Sequence, residues 1–469
     1  MAKERVQNIF ENLEILDAGA KGKTIAKAPD GRVIFVDNAV PGDIADIKTG
    51  KKRKAYYEGT AVKFHLYSSK RTEPVCQHFE YCGGCKWQHM DYKFQLHYKE
   101  NEITNNLIRI GHLELPEITP ILGCKEIYNY RNKMEYSFSN NRWLTLDEIN
   151  STNEIDSRNA CGFHISGMWD KILDISTCHL QEDPSNQIRN FIKNYGIDNG
   201  YEFYNPRAQS GFLRTIMIRI SSTKEIMVVL QLFKEDKKKR EALLNAVSEK
   251  FPEITSLLYV VNNKGNDTLY DQNIILFKGN EYIFEEMESL KFKIGPKSFY
   301  QTNSAQAYEL YKITRDFAGL TGNEVVYDFY TGTGTIAQFV AKNAKKVIGV
   351  ESVPEAIEDA KQNAKFNAID NVEFYAGDMK TVFNDQFITT HGKPDVIITD
   401  PPRDGMHSHV VEKMLEILPK KIVYVSCNSA TQARDLSLMK EYYNITKTQG
   451  VDMFPQTHHV ENVVLLELK

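Results

Sequence analysis

The sequence predicts a multidomain α/β protein with an N-terminal OB-like β-barrel, a central α+β domain and a C-terminal doubly wound domain. The chain of 469 residues is longer than one hydrophobic core usually supports. Short apolar stretches separated by turns fill the first part, whereas helical and strand patterns alternate after Ser304. The predicted domains are residues 1–66, 67–295 and 296–469.

The composition favours a soluble globular protein, with 42% hydrophobic and 26% charged residues. No apolar run approaches the roughly 18 residues of a membrane span, and the N-terminus does not resemble a signal peptide. We therefore expect a cytoplasmic protein without a membrane partner. The 7 cysteines are too few for a disulfide scaffold, which favours metal or catalytic roles.

Charge is unevenly distributed along the chain. Residues 1–99 contain 17 Lys and Arg against 12 Asp and Glu, whereas the remainder contains 41 against 50. The N-terminal part is thus suited to a polyanion such as RNA, and the basic run Lys51 to Lys54 contributes to its charge. A second basic run, Lys237 to Arg240, is predicted to be a solvated turn.

The N-terminal region has the turn signals of a small β-domain. Asp30-Gly31 predicts a hairpin, and Val40-Pro41-Gly42-Asp43 predicts a further turn. Four or five short strands in fewer than about 60 residues are typical of an OB-type barrel, a common oligonucleotide platform. A small β-domain without a binding role is the alternative.

Three cysteines lie close together in the segment CQHFEYCGGCKWQH. Cys76, Cys82 and Cys85 have metal-ligand spacing, and Gly83-Gly84 allows a tight fold between the last two. Zinc and an iron–sulfur cluster both accept such ligands, and zinc is at least as compatible with the spacing. Either needs a fourth ligand, for which the candidates are His78, His89, Cys124, Cys161 and Cys178.

The middle of the chain contains an amphipathic helix followed by a β-rich stretch. Apolar residues at helical spacing predict a helix over residues 91–113, with Gly111 as its end. Strands and two helices are predicted from Tyr128 to Phe292. The polar residues 139–160 are predicted to form an exposed loop or insertion.

Acidic residues end successive strands of the C-terminal region. Asp328 begins a loop containing Gly332 and Gly334, and Glu351, Asp378 and Asp400 follow later strands. The third glycine of the dinucleotide fingerprint is absent. Carboxylates suit the ribose, adenine amine and sulfonium of S-adenosylmethionine, so the pattern predicts this cofactor at the carboxyl ends of the strands.

Cys427 follows another apolar strand and is a candidate nucleophile. A thiolate adding to carbon 6 of a pyrimidine makes carbon 5 nucleophilic enough to accept a methyl group, after which a base must remove the carbon-5 proton. Glu461, before the last strand, is the best candidate for that base. Asp400-Pro401-Pro402-Arg403 offers an alternative, an enzyme that methylates exocyclic amines, but Arg403 stands where that motif has an aromatic residue.

These residues resemble the RNA uridine-5-methyltransferases. The resemblance is carried by FYQTN (299–303), DFYTGTGT (328–335), DPPRDG (400–405), SCNSATQARDL (426–436) and HHVENV (458–463), and it covers essentially the whole chain. The branch it indicates has an N-terminal TRAM domain and a 4Fe–4S cluster.

The resemblance implies a class I, Rossmann-like methyltransferase domain and specific roles for site residues. Cys427 is the expected nucleophile and Glu461 the base. The residues expected to contact S-adenosylmethionine are Gln301, Tyr330, Gly332, Gly334, Glu351, Asp378 and Asp400. The residues expected to bind the cluster are Cys76, Cys82, Cys85 and Cys178, which favours iron–sulfur over zinc.

The leading hypothesis is therefore a monomeric enzyme that makes 5-methyluridine in structured RNA. Relatives that methylate cytosine carry a second cysteine after a proline, where this chain has Arg403, so uridine is favoured. The cluster-bearing branch makes 23S ribosomal RNA the first candidate substrate and the transfer RNA T-loop the second. A non-catalytic RNA-binding or assembly factor is the remaining alternative, and the presence of both Cys427 and Glu461 argues against it.

Overall fold

The computed structural model describes residues 8–50, 55–151 and 157–469. The basic run Lys51 to Lys54, and five residues of the 139–160 segment, lie outside the described residues. Within the described part of the chain, no helix is both long and apolar enough to cross a membrane.

The first described residues form a six-stranded sheet in the order β1-β5-β6-β4-β3-β2. The strands are β1 (Ile9–Glu14), β2 (Asp17–Ala18), β3 (Thr24–Lys27), β4 (Val33–Asp37), β5 (Ile44–Thr49) and β6 (Tyr56–Leu66). Apolar side chains alternate along these strands and bury a small core that includes Ile15, Ile34, Val36 and Ile47. The predicted hairpin at Asp30-Gly31 is confirmed, because β3 pairs with β4 in antiparallel register.

This sheet packs against the cysteine-rich segment and the first helix, α1 (Tyr92–Arg109). Val40 contacts a buried cluster formed by Trp87, Met90 and Tyr98. The Trp87 indole Nε1 donates a hydrogen bond of 3.2 Å to the carbonyl of Gly22. The predicted helix over 91–113 is confirmed, although its regular part is shorter.

The central region contains a seven-stranded sheet in the order β10-β9-β8-β11-β12-β13-β14. Its strands are β8 (Lys133–Ser139), β9 (Ala160–Ile165), β10 (Met168–Asp174), β11 (Leu213–Ile220), β12 (Ile226–Leu232), β13 (Ile254–Val261) and β14 (Ile275–Gly279). Helices α3 (Ser185–Asp198) and α4 (Lys237–Lys250) contribute Ile188, Ile192, Leu243 and Leu244 to the same core as β11 and β12. A separate hairpin of β15 (Ile283–Met287) and β16 (Leu290–Ile294) follows.

Two local predictions for this region were wrong. Lys237 to Arg240 begins α4 instead of forming a turn, because Asp236 caps the helix by accepting a bond from the backbone of Lys239. The 139–160 segment is not loop throughout: it contains the helix α2 (Leu146–Asn150). Thr145 and Glu148 start that helix with reciprocal capping bonds, a local signal that its polar composition concealed.

The C-terminal sheet has eight strands in the order β19-β18-β17-β20-β21-β23-β22-β7. They are β7 (Thr119–Leu122), β17 (Val325–Phe329), β18 (Lys346–Glu351), β19 (Val372–Ala376), β20 (Val396–Thr399), β21 (Lys421–Ser426), β22 (Tyr443–Val451) and β23 (Glu461–Leu468). The five strands β17 to β21 pair in parallel, whereas β23 is antiparallel to both of its neighbours. This is a Rossmann-like core, as predicted.

Helices precede, separate and follow the parallel strands of this core along the chain. They are α5 (Ser304–Ala318), α6 (Thr335–Ala341), α7 (Pro354–Phe366), α8 (Met379–Val382), α9 (Asp385–His391), α10 (Ser408–Ile417) and α11 (Ser429–Met439). β23 lies between β21 and β22, and β7, from much earlier in the chain, pairs with β22 at the edge.

Candidate active site

The predicted site residues lie along one edge of the C-terminal sheet. Tyr330 follows β17, Glu351 ends β18, Asp378 comes shortly after β19, Asp400 follows β20 and Cys427 follows β21. Because these strands are parallel, their carboxyl ends face the same side. The order of the strands reverses direction on either side of β17, which is where open α/β sheets form a ligand crevice.

The glycine loop after β17 is shaped for close approach of a ligand. Tyr330, Gly332 and Gly334 have positive φ angles of 61°, 55° and 74°. A Cβ atom at Gly334 would lie 2.6 Å from the Phe374 ring, so only glycine fits there. A Cβ at Gly332 would meet no atom within 4 Å, so the space beside the Gly332 backbone is open.

Carboxylates surround this loop. Glu351 accepts hydrogen bonds from the backbone of Gly332 at 3.2 Å and of Val353 at 3.0 Å. Asp378 caps α8 by accepting from the backbone of Lys380 at 2.9 Å. Asp328 is buried beneath the loop, where burial raises the pKa of its carboxyl to about 7, and its Oδ1 has no hydrogen-bond partner among the described residues. A ligand with hydroxyl donors and a positive charge suits this donor-poor, acidic crevice.

The register of β21 and β23 places Cys427 beside Glu461. Ser426 pairs with Asn462 in the antiparallel ladder, so Cys427 and Glu461 are the next facing positions. Glu461 is only 5% exposed, whereas the thiol of Cys427 is partly accessible. A candidate nucleophile and a candidate base therefore face the same end of the sheet.

The buried Glu461, the half-buried Asp400 and the Arg403 guanidinium control the charge at this thiol. Burial raises the pKa of Glu461 well above its ordinary value, and the nearby charge of Asp400 raises it further. Burial raises the pKa of Asp400 to about 7. Burial, followed by the charges of Glu461 and Asp400, raises the pKa of Cys427 to about 11, while Arg403 acts in the opposite direction.

Arg403 is a site residue that the sequence reasoning did not assign. Its backbone carbonyl accepts hydrogen bonds from Asn428 Nδ2 at 2.9 Å and from Thr431 Oγ1 at 3.0 Å. These bonds hold the loop after β20 against the start of α11, and the Arg403 side chain lies close to Cys427. The sequence signal for such a role was its position after two prolines and a strand-end Asp. Its partner Cys427, however, lies 24 residues away in the sequence.

Gln301 also reaches the site. Its side chain lies close to that of Tyr311, which is itself buried near Asp400, Asp328 and Glu461. The same segment contacts the glycine loop, because Thr333 Oγ1 donates to the carbonyl of Phe299 at 3.4 Å. The structure therefore places the predicted cofactor residues, Cys427 and Glu461 on the same side of the C-terminal sheet.

The four predicted cluster cysteines come together outside this crevice. Burial raises the pKa of Cys82 to about 11 and of Cys85 to about 12, and the neighbouring thiols Cys76 and Cys178 raise both further. Within the described ranges, no group of three or more His, Cys, Asp or Glu side chains is arranged to hold a single metal ion.

The other candidates for a fourth ligand have different environments. His78 accepts a hydrogen bond from the backbone of Ser176, and His89 packs its ring against Phe79. The Cys124 Sγ accepts a hydrogen bond from Asn303 Nδ2. Cys161 is fully buried, and burial raises the pKa of its thiol. The charged side chains near it are Arg189, Asp174 and Lys193.

Backbone hydrogen bonds connect the cysteine segment to the loop that leads to Glu461. The amides of Lys86 and Trp87 donate to the carbonyl of Gln456 at 2.9 and 3.0 Å. Gln95 and Gln456 exchange two further bonds, and Lys99 forms a fully buried ion pair of 2.6 Å with Asp452. The loop between β22 and β23 is therefore held by residues from before β7.

Comparison with known proteins adds a family to this geometry. A family model described as tRNA (uracil-5-)-methyltransferase matches residues 270–469. A Bacteroides thetaiotaomicron protein described as an uncharacterized RNA methyltransferase is 56% identical over 460 residues, covering 96% of this chain and 100% of the relative. A Chlorobaculum tepidum protein with a similar description is 38% identical, covering 97% of this chain and 95% of the relative.

A solved structure is similar over nearly the same length. The Pyrococcus abyssi tRNA (uracil-54, C5)-methyltransferase, in complex with S-adenosyl-L-homocysteine, has a TM-score of 0.75 and 27% sequence identity. The similarity covers 97% of this chain and 100% of that one.

Proposed function

The chain belongs to the tRNA (uracil-5-)-methyltransferase family, and we propose that it methylates carbon 5 of a uridine in folded RNA through a covalent bond from Cys427 to carbon 6. It is an RNA uracil-5-methyltransferase that uses S-adenosylmethionine. The observation that supports the covalent route is the facing pair of Cys427 and Glu461 beside Asp400. An amine methyltransferase would need Asp400 but would have no use for that thiol.

The first step belongs to Cys427. Its thiol gives up its proton to water, the resulting thiolate adds to carbon 6, and the electron pair of the 5,6 double bond moves onto carbon 5 and the carbon-4 oxygen. Arg403 favours this step, because its positive charge stabilises the thiolate against the two neighbouring carboxylates. Carbon 5 then takes the methyl group.

The second step belongs to Glu461. Its carboxylate removes the proton from carbon 5, the double bond re-forms, and the sulfur of Cys427 leaves carbon 6. A high pKa suits this role, because a carboxylate in a dry site is a stronger base than one in water. Asp400 keeps that pKa high by opposing a second negative charge nearby.

The residues present fit S-adenosylmethionine, because a Cβ at Gly332 would meet no atom within 4 Å and the buried Asp328 Oδ1 has no hydrogen-bond partner among the described residues. When bound, this cofactor supplies an electrophilic methyl group. Glu351 would accept from the ribose hydroxyls and Asp378 from the adenine amine. Tyr330, Gly332, Gly334 and Gln301 would line the slot, and Asp400 would face the positive end of the ligand.

We infer that the N-terminal sheet is a TRAM-type barrel that holds the RNA backbone while the target base leaves its stack, which costs a few kcal/mol. Lys27, Lys48 and Lys63 are exposed on this sheet, in the part of the chain with excess positive charge. Changing all three to Glu should raise the KM for RNA and reduce its salt dependence. Deleting the sheet would be a poorer test, because Trp87, Met90 and Tyr98 pack against it.

We also infer that Cys76, Cys82, Cys85 and Cys178 hold a 4Fe–4S cluster. Cys82, Cys85 and Cys178 fit this group chemically, because burial raises the pKa of each thiol and bonds to iron would stabilise their thiolate forms. Purified protein should contain about four irons per chain, and Cys178→Ser should lose them; one zinc per chain would refute the proposal.

The RNA target is proposed as ribosomal RNA, with transfer RNA as the second candidate. The four cysteines and the barrel favour the ribosomal branch of the family. The Pyrococcus abyssi neighbour, which acts on tRNA uracil-54, favours transfer RNA. Mapping 5-methyluridine in both RNAs from a deletion strain would decide between them, and loss of the mark from transfer RNA alone would refute the first candidate.

Trapping with 5-fluorouridine RNA tests the covalent route. Fluorine at carbon 5 cannot be removed as a proton, so the adduct with Cys427 should persist in the presence of S-adenosylmethionine. Cys427→Ala should form no adduct and no product, while still binding S-adenosylhomocysteine. Methylation by this variant would exclude the covalent mechanism, and a non-catalytic assembly factor would give neither product nor adduct with the unmodified enzyme.

A further inference from the structure

The FYQTN segment, residues 299–303, lies near both the glycine loop and the catalytic carboxylates. Thr333 Oγ1 of the glycine loop donates a hydrogen bond to its Phe299 carbonyl, and the Gln301 side chain lies close to Tyr311 beside the catalytic carboxylates. The segment has no regular secondary structure, so neither a strand ladder nor helical bonding fixes its backbone. Its conformation must depend on bonds from its surroundings.

Those bonds come largely from Asn132, at the start of the central sheet. The backbone N–H of Asn132 donates a hydrogen bond to the carbonyl of Thr302 at 2.7 Å. Its side-chain Nδ2 donates to the carbonyl of Gln301 at 2.9 Å and to Ser304 Oγ at 2.7 Å. One buried residue therefore binds two successive backbone carbonyls, those of Gln301 and Thr302.

Two buried charged residues, Glu285 and Arg219, lie in the same network as Asn132. Glu285, 1% exposed, accepts from Ser304 Oγ at 3.0 Å and from the backbone of Ser222 at 3.1 Å. Arg219, 2% exposed, balances this carboxylate and donates from Nη2 to the carbonyl of Ser298 at 3.1 Å. The network thus reaches the segment at both ends, from side chains that belong to the central sheet and the β15–β16 hairpin.

We propose that Asn132 is a positioning residue for S-adenosylmethionine, which acts by fixing the Gln301 backbone from the central sheet. This inference rests on the proposed function, because it assumes that Gln301 contacts the cofactor. It gives the central domain a part in the reaction apart from any cluster or RNA contact. A geometric error of about 1 Å in such a segment is enough to weaken binding or rate substantially.

Asn132→Ala tests the proposal, with Asn262→Ala as the matched control. Asn262 is also a buried amide at the end of a central strand, but it donates to the carbonyls of Asn266 and Thr268, away from residues 298–304. We expect Asn132→Ala to raise the KM for S-adenosylmethionine and the Kd for S-adenosylhomocysteine about tenfold. The KM for RNA should stay unchanged in both variants.

Ser304 provides a milder test should Asn132→Ala fail to fold. Ser304→Ala removes the hydroxyl that links Asn132 to Glu285, and it should raise the same two constants to a smaller extent. Ser304→Thr keeps the hydroxyl and should restore them. Unchanged cofactor affinity in Asn132→Ala, or an equal loss in Asn262→Ala, would overturn the inference. If the unmodified enzyme binds no S-adenosylhomocysteine, the proposed function itself has failed.

Discussion

The free enzyme should hold its nucleophile protonated at neutral pH, and alkylation of Cys427 by iodoacetamide can measure this. Burial, Glu461 and Asp400 together raise the pKa of the thiol to about 11 from an ordinary value of 9.0. Because only the thiolate reacts, the rate constant of alkylation at a given pH follows the ionised fraction.

The expected size of the effect is large. With a pKa of about 11, roughly one thiol in a thousand is ionised at pH 8, about a hundredfold less than for an ordinary cysteine. The rate should therefore rise about tenfold per pH unit until it levels off near the pKa. Arg403→Gln should move the curve to higher pH, because the guanidinium lowers this pKa, and Asp400→Asn should move it to lower pH.

Peptide mass spectrometry can follow Cys427 separately from the other six cysteines. Cys427→Ala identifies the peptide, and thermal melts at each pH exclude unfolding. An alkylation rate that levels off below about pH 8 would refute the reasoning, since it would mean that the thiolate forms without RNA. No response to either Arg403→Gln or Asp400→Asn would refute the assignment of these charges to the thiol.

Three further predictions follow from particular contacts. Glu461→Gln should form the adduct with ordinary RNA but release it slowly, because the carbon-5 proton stays in place; normal release, measured by gel shift under denaturing conditions, would assign the base elsewhere. Gly334→Ala should weaken S-adenosylhomocysteine binding at least tenfold, since its Cβ would lie 2.6 Å from Phe374 at a φ of 74°; Gly322→Ala, with a φ of 94° and no atom within 4 Å, is the control for strain alone. Lys99→Met should lower the free energy of unfolding by about 3–5 kcal/mol, because it leaves Asp452 charged and buried; Lys224→Met, which breaks an exposed pair with Glu182, should cost at most about 1 kcal/mol, and equal losses by chemical denaturation would contradict this account.

Much of the fold and the cofactor crevice was predictable from local patterns. Alternating apolar stretches identified the strands of the C-terminal core, and a residue that follows a parallel strand is bound to lie at the carboxyl edge of its sheet. Tyr330, Glu351, Asp378, Asp400 and Cys427 could therefore be placed on one side without knowing the strand order. The helix from Tyr92 to Arg109 was predictable for the same reason, because its apolar spacing is local.

Local patterns failed where polar residues hid a cap. Asp236 and Thr145 each start a helix through a side-chain bond to the backbone, in segments whose composition indicated a turn or loop. Polar and charged residues are equally compatible with an exposed helix face and with a loop. Only the capping geometry distinguished the two.

By itself, the sequence determined which residues stand at the ends of strands, because that depends on the few residues around each one. The tertiary structure decided which of those residues meet. Insertion of β23 between β21 and β22 sets Glu461 beside Cys427, folding of the loop after β20 brings Arg403 to the thiol, and Asn132 reaches Gln301 across 169 positions of sequence. The physical reason is that strand register and long-range hydrogen bonds are chosen by the packing of the whole chain, and no local periodicity encodes them.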